Sequence, residues 1–338
     1  DELYNFATQE AAALKKGGAD VVIALTHLGV DEESNPNRST DLYARSTGID
    51  FIIDGHSHTV MTEGANKEPI QSTGTALENV GVIVIDNATK KIEKNELVKL
   101  EGVKAEDETV KALADKIITD VDTRLGEVFA KTEVDLDGNR DPGVRTKETN
   151  LGDLITDAML WKIRTQATVS VPAENVVAVT NGGGIRATVK AGDVTKKDIN
   201  TVLPFGNTLA VVYVTGAELL EALEASTYCT PESLGGFPQV AGLQFVILTD
   251  KAYDANTDPY PGSTYYGPKT INRVEIATVN GEAFDPEAKY AVVTNNFVAA
   301  GGDTYYAFAA ATDQFDTGLP LDEVVMEYIT EELGGVIG

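Results

Sequence analysis

Residues 106–125 carry the most regular pattern in this chain, and the pattern divides the sequence into two parts. Its apolar side chains fall on one helical face, at Val110, Leu113, Ala114, Ile117, Ile118, Val121 and Leu125. This spacing predicts an amphipathic helix. Because strand-rich sequence lies on both sides, we predict a linker helix over residues 105–125, between a first domain over residues 1–104 and a second over residues 126–338.

The first part alternates between helical and strand-like sequence. Residues 5–16 have a helical pattern, and short apolar runs follow at residues 21–25, 51–53 and 82–85. Runs of this length between helical segments are typical of buried parallel strands. The third run turns into residues 92–100, which we predict to be its antiparallel partner. Together these elements predict one part of an α/β sandwich.

The second part mixes strands, helices and glycine-containing turns. Residues 151–159 have one apolar helical face, and residues 176–180 read as a strand that ends at a glycine-rich turn. The pair Asn280-Gly281 predicts a β-hairpin. Residues 250–268 are rich in Asp, Pro, Gly and Tyr, which predicts an excursion over the surface.

Acidic side chains strongly outnumber basic ones. The 338 residues contain 53 Asp and Glu against 27 Lys and Arg, which gives a formal net charge of −26. Such a surface repels polyanions, so we expect neither a nucleic-acid polymer nor an anionic membrane as a partner. No apolar stretch reaches the roughly 18 residues of a membrane span. The single cysteine, Cys229, excludes a disulfide framework, a zinc ribbon and an iron–sulfur cluster within this sequence.

All three histidines of the chain, His27, His56 and His58, follow predicted strands of the first part. Ligands bind in the crevice beyond the carboxyl ends of strands in open α/β sheets. Neutral imidazoles are good ligands for zinc and other first-row metals. Scattered surface histidines are the alternative, but this placement favours a metal site.

Several residues of the second part are suited to a nucleotide. The turn at residues 181–184 allows close backbone approach to a ligand, and we expect its amides to be free to face polar atoms. The guanidinium groups of Arg145 and Arg186 suit phosphate and ribose oxygens. Phe205 and Phe297 each lie in a glycine-bearing loop after a strand, where a core phenylalanine is not expected, although both rings could pack beneath their own loops.

These motifs resemble a known family. The segments IALTH (23–27) and GHSHT (55–59) look like the last two metal motifs of calcineurin-like metallophosphoesterases. The second part resembles the C-terminal domain of 5′-nucleotidases, in the segments ETNLGD (148–153), NGGGIR (181–186), LPFGN (203–207) and NFVAAGGD (296–303). The resemblance implies an α/β and α+β fold: a partial metallophosphoesterase sandwich, the linker helix, and a mixed α/β substrate-binding domain.

The resemblance also implies roles for individual residues. His27 and His56 would bind one divalent metal ion and His58 a second, with zinc or manganese as examples. Phe205 and Phe297 would clamp a base, Asp303 would accept hydrogen bonds from ribose hydroxyls, and Asn181 and Asn207 would face the base or ribose. The full set of implied substrate-binding residues is Arg145, Asn181, Gly183, Arg186, Phe205, Asn207, Gly242, Phe297 and Asp303.

The chain departs from the family pattern in its first part. Relatives carry upstream an aspartate-x-histidine, a bridging aspartate and a glycine-asparagine-histidine motif, and none of these is found here. The Asp-x-His at Asp54 and His56 belongs to the last motif instead. We therefore expect the chain to lack the N-terminal half of the metallophosphoesterase domain, to hold an incomplete metal site, and to contain none of the family's catalytic residues.

Two functions follow as expectations. In the first, the intact protein is a metal-dependent 5′-nucleotidase that hydrolyses nucleoside 5′-monophosphates, with this chain inactive on its own. In the second, the chain is a nucleoside- or nucleotide-binding module without catalysis. For the intact protein, 2′,3′-cyclic phosphodiesterase and nucleotide-sugar or dinucleotide pyrophosphatase activities stay open. The resemblance implies a bacterial protein located outside the cell, on its surface or in the periplasm.

Overall fold

The chain folds into two compact units, Asp1–Asp107 and Glu108–Gly338. The computed structural model describes residues 2–34, 37–252 and 270–338. Most of the surface excursion predicted at residues 250–268 lies outside the described residues.

The first unit is built on a small mixed sheet, a hairpin and two helices. Its elements are α1 (Glu2–Lys16), β1 (Ile23–Leu25), α2 (Ser39–Arg45), β2 (Phe51–Ile53), β3 (Val60–Met61), β4 (Ile70–Thr73), β5 (Asn79–Ile85) and β6 (Ile92–Lys99). The sheet has the order β1-β2-β4-β3, with β1, β2 and β4 parallel and β3 antiparallel to β4. Strands β5 and β6 pair antiparallel, which confirms the predicted partnership of residues 82–85 and 92–100. The predicted burial of residues 82–85 in a parallel strand is wrong, since among the described strands β5 pairs with β6 alone and Val84 is 41% exposed.

Strand β1 differs from its prediction in one respect. Its parallel pairing with β2 is confirmed, but its burial is not, since Ile23 is 41% and Leu25 83% exposed. The reason is position, because β1 is the edge strand of the sheet within the described part of the chain. Phe51 and Ile52 of β2, which lies between two neighbours, are buried.

Helix α3 (Glu108–Leu125) begins the second unit and confirms the helix predicted from the periodicity. None of its residues is buried, however, and Val110, Leu113, Ile117 and Ile118 are each more than half exposed. The apolar periodicity therefore indicates which residues share one face of the helix, but it does not indicate whether other elements pack against that face. Over the residues that the structure describes, no helix combines the length and apolar content needed to cross a membrane.

The rest of the second unit has three sheets and six further helices in its described part. The elements are β7 (Val128–Thr132), α4 (Asn150–Gln166), β8 (Val176–Asn181), β9 (Gly192–Thr195), α5 (Lys196–Val202), β10 (Thr208–Thr215), α6 (Gly216–Ser226), β11 (Pro238–Ala241), β12 (Leu243–Ile247), β13 (Val274–Val279), β14 (Glu282–Ala283), β15 (Lys289–Asn295), α7 (Asn296–Ala299), α8 (Tyr306–Ala309), β16 (Gln314–Pro320), α9 (Leu321–Glu327) and β17 (Val336–Ile337). The central sheet has the order β11-β8-β15-β10-β16, beside smaller sheets β12-β13-β14 and β17-β7-β9. The hairpin predicted at Asn280-Gly281 is confirmed by the antiparallel β13–β14 pair.

Helices cover both faces of the central sheet. Strand β15 shows why, because Ala291 and Val293 point into one apolar cluster and Tyr290 and Val292 into another. Alternate side chains of a strand face opposite sides of its sheet. Helices α4, α5 and α9 cover the first face, and α6, α7 and α8 cover the second. The resulting architecture is a mixed α/β fold with several sheets and, in the described residues, no closed barrel.

Candidate ligand site

Three segments with predicted ligand residues meet at one edge of the central sheet. Strand β8 ends at Asn181, and its parallel neighbour β15 ends at Asn295. Strand β10 runs antiparallel to β15 with Leu209 opposite Asn295, so β10 begins at the same edge. The turn after β8, helix α7 after β15 and the loop before β10 therefore lie side by side. These three segments carry Asn181, Gly183, Arg186, Phe205, Asn207 and Phe297.

An amide and a carboxylate form a close pair at this edge. Asn181 is buried, and its Nδ2 donates a hydrogen bond of 2.7 Å to Oδ2 of Asp303. Asp303 adopts a left-handed backbone conformation, with φ of 54°, in the loop after α7. The structure thus brings together two predicted ligand residues that lie 122 positions apart in the sequence.

The glycine turn after β8 packs against the protein's own backbone, and this corrects the expectation that its amides are free. The N–H of Gly182 donates to the carbonyl of Phe237 at 2.8 Å, and the N–H of Gly183 donates to the carbonyl of Gly235 at 2.7 Å. A Cβ at Gly182 would collide with the carbonyl oxygen of Val144. The glycines therefore allow chain segments to approach each other, since any side chain would separate them.

Phe205 and Arg186 form an exposed wall beside this turn. The Phe205 side chain is 59% exposed, so it does not pack beneath its own loop. The guanidinium carbon of Arg186 lies 5.6 Å from the centre of the Phe205 ring, within the range of a cation–π contact. Nη1 of Arg186 also donates to the carbonyl of Gly183 at 3.2 Å. The arginine therefore links the exposed ring to the glycine turn.

Phe297 has a different environment. Its ring is partly buried against the cluster that contains α6, α7 and α8. A Cβ at Gly302 would lie 2.5 Å from the ring atoms, so Phe297 lies directly on the Gly302 backbone. This arrangement agrees with the alternative that Phe297 packs on its own loop. A base clamp formed by both rings stays a prediction.

A small cleft lies between these segments. Leu203, Phe205 and Leu321 give it apolar walls, and Thr180, Asn207 and Asn295 add polar groups. Apolar walls with a few placed polar groups are typical of small-molecule sites. Asn207 therefore lines the same cleft as Phe205.

The two remaining predicted residues lie at different distances from this edge. Arg145 is buried, and its carbonyl accepts a hydrogen bond from the N–H of Leu234, in the loop that contacts the glycine turn. Gly242 follows Ala241, which pairs with Ala178, whereas Asn181 pairs with Pro238 at the other end of β11. The structure therefore places Gly242 away from Asn181, where its carbonyl accepts from Asn280.

In the first unit, the structure brings two of the three histidines together. The rings of His27 and His56 lie edge to face, with their centres 5.2 Å apart. Nε2 of His56 is 3.7 Å from Oε1 of Glu33. His56 and His58 both have positive φ angles, 82° and 56°, so the backbone turns sharply through this segment.

Asp54 hydrogen-bonds to the segment that carries His27. Its Oδ1 accepts hydrogen bonds from Oγ1 of Thr26 at 2.7 Å and from the N–H of Leu28 at 3.0 Å. Oδ2 is buried and has no hydrogen-bond partner among the described residues. The carboxylate of Asp54 therefore connects the loop that carries His27 to the segment that carries His56.

Comparison with known sequences assigns the second unit. The family model described as 5′-nucleotidase, C-terminal domain matches residues 128–310, which is more than half of the chain. The chain belongs to this family. The matched residues include all four segments by which the second part resembles 5′-nucleotidases, and every residue that lines the cleft except Leu321.

Individual members of the 5′-nucleotidase family support the assignment. The chain is 35% identical over 324 residues to the trifunctional nucleotide phosphoesterase protein YfkN of Bacillus subtilis, covering 92% of this chain and 20% of that protein. It is 26% identical over 365 residues to the snake venom 5′-nucleotidase of Crotalus adamanteus, covering 97% and 57%. The crystal structure of the 5′-nucleotidase precursor from Thermus thermophilus matches with a TM-score of 0.73 and 30% identity, covering 99% and 65%. The chain therefore spans from about a fifth to about three fifths of these curated relatives.

Metal binding in this family was expected at the histidines. Among residues 2–34, 37–252 and 270–338, no three His, Cys, Asp or Glu side chains converge as a metal ion requires. His27 and His56 adjoin each other, but two imidazoles fall short of the three protein ligands that a zinc site normally uses. The described residues of this 5′-nucleotidase family member therefore do not fit a complete metal centre.

Two residues outside the predicted set lie close to predicted ligand residues. Asn295 hydrogen-bonds to Asn181, and Tyr305 is fully buried with its hydroxyl donating to the carbonyl of Gly236 at 2.8 Å. Burial raises the pKa of Tyr305 well above its usual value, so the hydroxyl stays protonated. The position of Asn295 directly before the segment 296–303 is a signal that could have found it.

Proposed function

We propose that the second unit binds the nucleoside part of a nucleoside 5′-monophosphate, and that the intact protein is a 5′-nucleotidase releasing nucleoside and phosphate. The observation that carries this proposal is the cleft with the exposed Phe205, connected through Asn295 and Asn181 to Asp303. An exposed aromatic ring beside amides and a carboxylate offers a stacking surface and partners for hydroxyl groups.

Each group has a separate task in this proposal. The base stacks on Phe205, and Asn207 faces it from the same cleft. Asp303 accepts hydrogen bonds from the ribose hydroxyls, and Asn181 holds that carboxylate at 2.7 Å. Arg186 lies over Phe205 at 5.6 Å, where its charge favours an anionic ligand.

Calorimetric titration with adenosine tests the binding half of this proposal. We expect Phe205→Ala to weaken adenosine binding about tenfold or more, because base stacking contributes roughly 1–3 kcal/mol. The melting temperature should change little, because the ring is 59% exposed. Phe6→Ala is the matched control, since Phe6 is 63% exposed on α1 in the other unit. Equal affinities of wild type, Phe205→Ala and Phe6→Ala would remove the support for stacking.

The catalytic half of the proposal concerns the intact protein. Divalent metal ions, when bound, would supply Lewis-acid chemistry for hydrolysis of the phosphate ester. His27, His56 and His58 would supply part of the ligand set, and upstream residues would supply the rest. We propose that this chain alone binds nucleosides without hydrolysing nucleotides, because no three ligands converge in its described residues.

The proposed location is outside the cytoplasm: the extracellular space, the cell surface or the periplasm of a bacterium. Similarity to a venom 5′-nucleotidase, a secreted product by its name, supports this. Fractionation of the source cells, followed by detection of the intact protein, tests it. Recovery only in the cytosolic fraction would contradict the proposed location.

A further inference from the structure

Asn295 connects three parts of the candidate ligand site. It is the last residue of β15 and is 1% exposed. Its Nδ2 donates to Oγ1 of Thr180 and to Oδ1 of Asn181, both at 3.0 Å. Its Oδ1 accepts the N–H of Val298 at 2.9 Å, which caps the helix that carries Phe297. One buried amide therefore contacts the end of β8, the residue that holds Asp303, and the first turn of α7.

The backbone cap determines which way this amide points. A peptide N–H can only donate, so the atom of Asn295 that faces Val298 must be its oxygen. The NH₂ group of Asn295 must then face Asn181, whose side-chain oxygen accepts the hydrogen bond. The NH₂ group of Asn181 is consequently directed at Asp303. The chain of bonds from Val298 to Asp303 has one direction, fixed at its start by a main-chain group.

We propose that Asn295 is a positioning residue, which fixes the orientation of the Asn181 amide toward Asp303 and couples that orientation to helix α7. The inference rests on the proposed function, because Asn181, Phe297 and Asp303 are predicted ligand residues there. Reversal of the Asn181 amide would set its oxygen against the Asp303 carboxylate. Two acceptors would then face each other, and the carboxylate would no longer be held for a ribose hydroxyl.

The substitution Asn295→Asp tests the direction of the bonds while keeping the shape of the side chain. The introduced carboxylate would still cap α7 through one oxygen, but it would present an acceptor to Asn181 in place of a donor. We expect the melting temperature to fall and adenosine binding to weaken by about tenfold or more. Asn175→Asp is the matched control, because Asn175 lies at the opposite end of β8 and β15, bonded to the carbonyl of Lys289. The control should bind adenosine like the wild type.

A combined exchange distinguishes orientation from general damage. In the double variant Asn295→Asp with Asp303→Asn, the Asn181 amide can turn round, donating to residue 295 and accepting from residue 303. The bonds between residues 295, 181 and 303 are then remade in the reverse direction, while the N–H of Val298 still donates to residue 295. We expect the double variant to melt above the single variant Asn295→Asp, although residues 295 and 303 are linked only through Asn181 in this chain of bonds. Asn175→Asp combined with Asp303→Asn should show simple additivity.

The readouts separate this inference from the function on which it rests. Melting temperatures without ligand test the bond direction, whether or not adenosine binds. If wild type fails to bind adenosine but the 295/303 exchange recovers stability, the proposed function fails and the orienting role stands. If the 295/303 pair is additive like the 175/303 pair, or if Asn295→Asp keeps wild-type affinity and stability, the orienting role is overturned.

Discussion

At the scale of single residues, Asp153 is the clearest case of a perturbed group. It lies in the first turn of α4, where burial, together with the negative charges of Glu148 and Asp157, raises its pKa to about 6. The unfolded chain would ionise this carboxyl near pH 4, whereas the folded chain holds the proton for longer. Ionisation of Asp153 therefore removes stability as the pH rises from about 4 to about 6.

The substitution Asp153→Asn should stabilise the protein above this range. Above pH 7 we expect a gain of about 1 kcal/mol in the free energy of unfolding, a value reduced for solvent screening of a half-buried group. Near pH 4 the gain should be close to zero, because Asp153 is then protonated in the folded wild type and still about half protonated in the unfolded chain. Urea denaturation at both pH values measures the difference, with Asp120→Asn on the exposed face of α3 as control. A gain that is equal at both pH values would contradict the shifted pKa.

Residues also show what a sequence can and cannot reveal about the site. The sequence predicts ligand residues in the segments around Asn181 and Phe297, because both follow strands and contain glycines, and ligand binding there stays a prediction. The partners were not predictable, since Gly183 contacts Gly235 and Asn181 contacts Asn295 through long-range folding. The backbone amides that were expected to face a ligand thus donate hydrogen bonds to carbonyl groups of the protein itself. Asn295, which we propose orients Asn181, was not predicted from the sequence.

At the scale of elements, a carboxylate of α6 holds the start of β13. Glu224 is 2% exposed and accepts hydrogen bonds from Oγ1 of Thr270 and from a run of backbone N–H groups. Those N–H groups belong to Ile271, Asn272, Arg273 and Val274. Burial acts to raise the pKa of Glu224, but these hydrogen bonds outweigh it and lower the pKa below its usual value. The ionised carboxylate therefore stabilises the junction between helix and strand.

The substitution Glu224→Gln should destabilise the second unit. We expect a loss of about 2–4 kcal/mol at pH 7, because an amide nitrogen would face backbone donors and the charge that they solvate would be gone. The loss should shrink as the pH falls through the pKa of the folded protein, where the wild type also loses its charge. Chemical denaturation measures it against Glu221→Gln, three residues earlier on the same helix. Equal stability of the two variants at pH 7 would argue against this role.

The helices and strands were more predictable from the sequence than their burial was. The periodicity at residues 106–125 correctly predicts helix α3, and Asn280-Gly281 correctly predicts the β13–β14 hairpin, because both signals are local. The burial of β1 was wrong, since burial depends on which strands lie beside it. Whether the helix divides two domains, as proposed, depends in the same way on long-range contacts.

At the scale of the whole molecule, the candidate residues are divided between two units. The histidines lie in Asp1–Asp107, and the cleft with Asn181 and Phe205 lies in Glu108–Gly338. The residues proposed to bind a nucleoside thus lie in one unit, and the proposed metal ligands lie in the other. Recognition and hydrolysis are consequently separable by experiment.

A phosphate-release assay checks this separation. We expect the homogeneous 338-residue chain to bind adenosine but to release no phosphate from AMP when supplied with zinc or manganese. The physical reason is that no three ligands converge in its described residues. Adenosine binding in the same preparation serves as the control for correct folding. Phosphate release that EDTA abolishes would contradict the prediction.

The order of strands in the central sheet has a consequence for how the protein is made. Strand β15 lies between β8 and β10, although it is synthesised long after both. A nascent chain emerging from the ribosome up to residue 288 would hold β8 and β10 with the place between them unfilled. Exposed strand edges of this kind invite aggregation, and long-range pairing is slow. The cleft would therefore be completed late in synthesis, so that translation products ending before residue 289 would lack the wall that Asn295 and Leu321 supply.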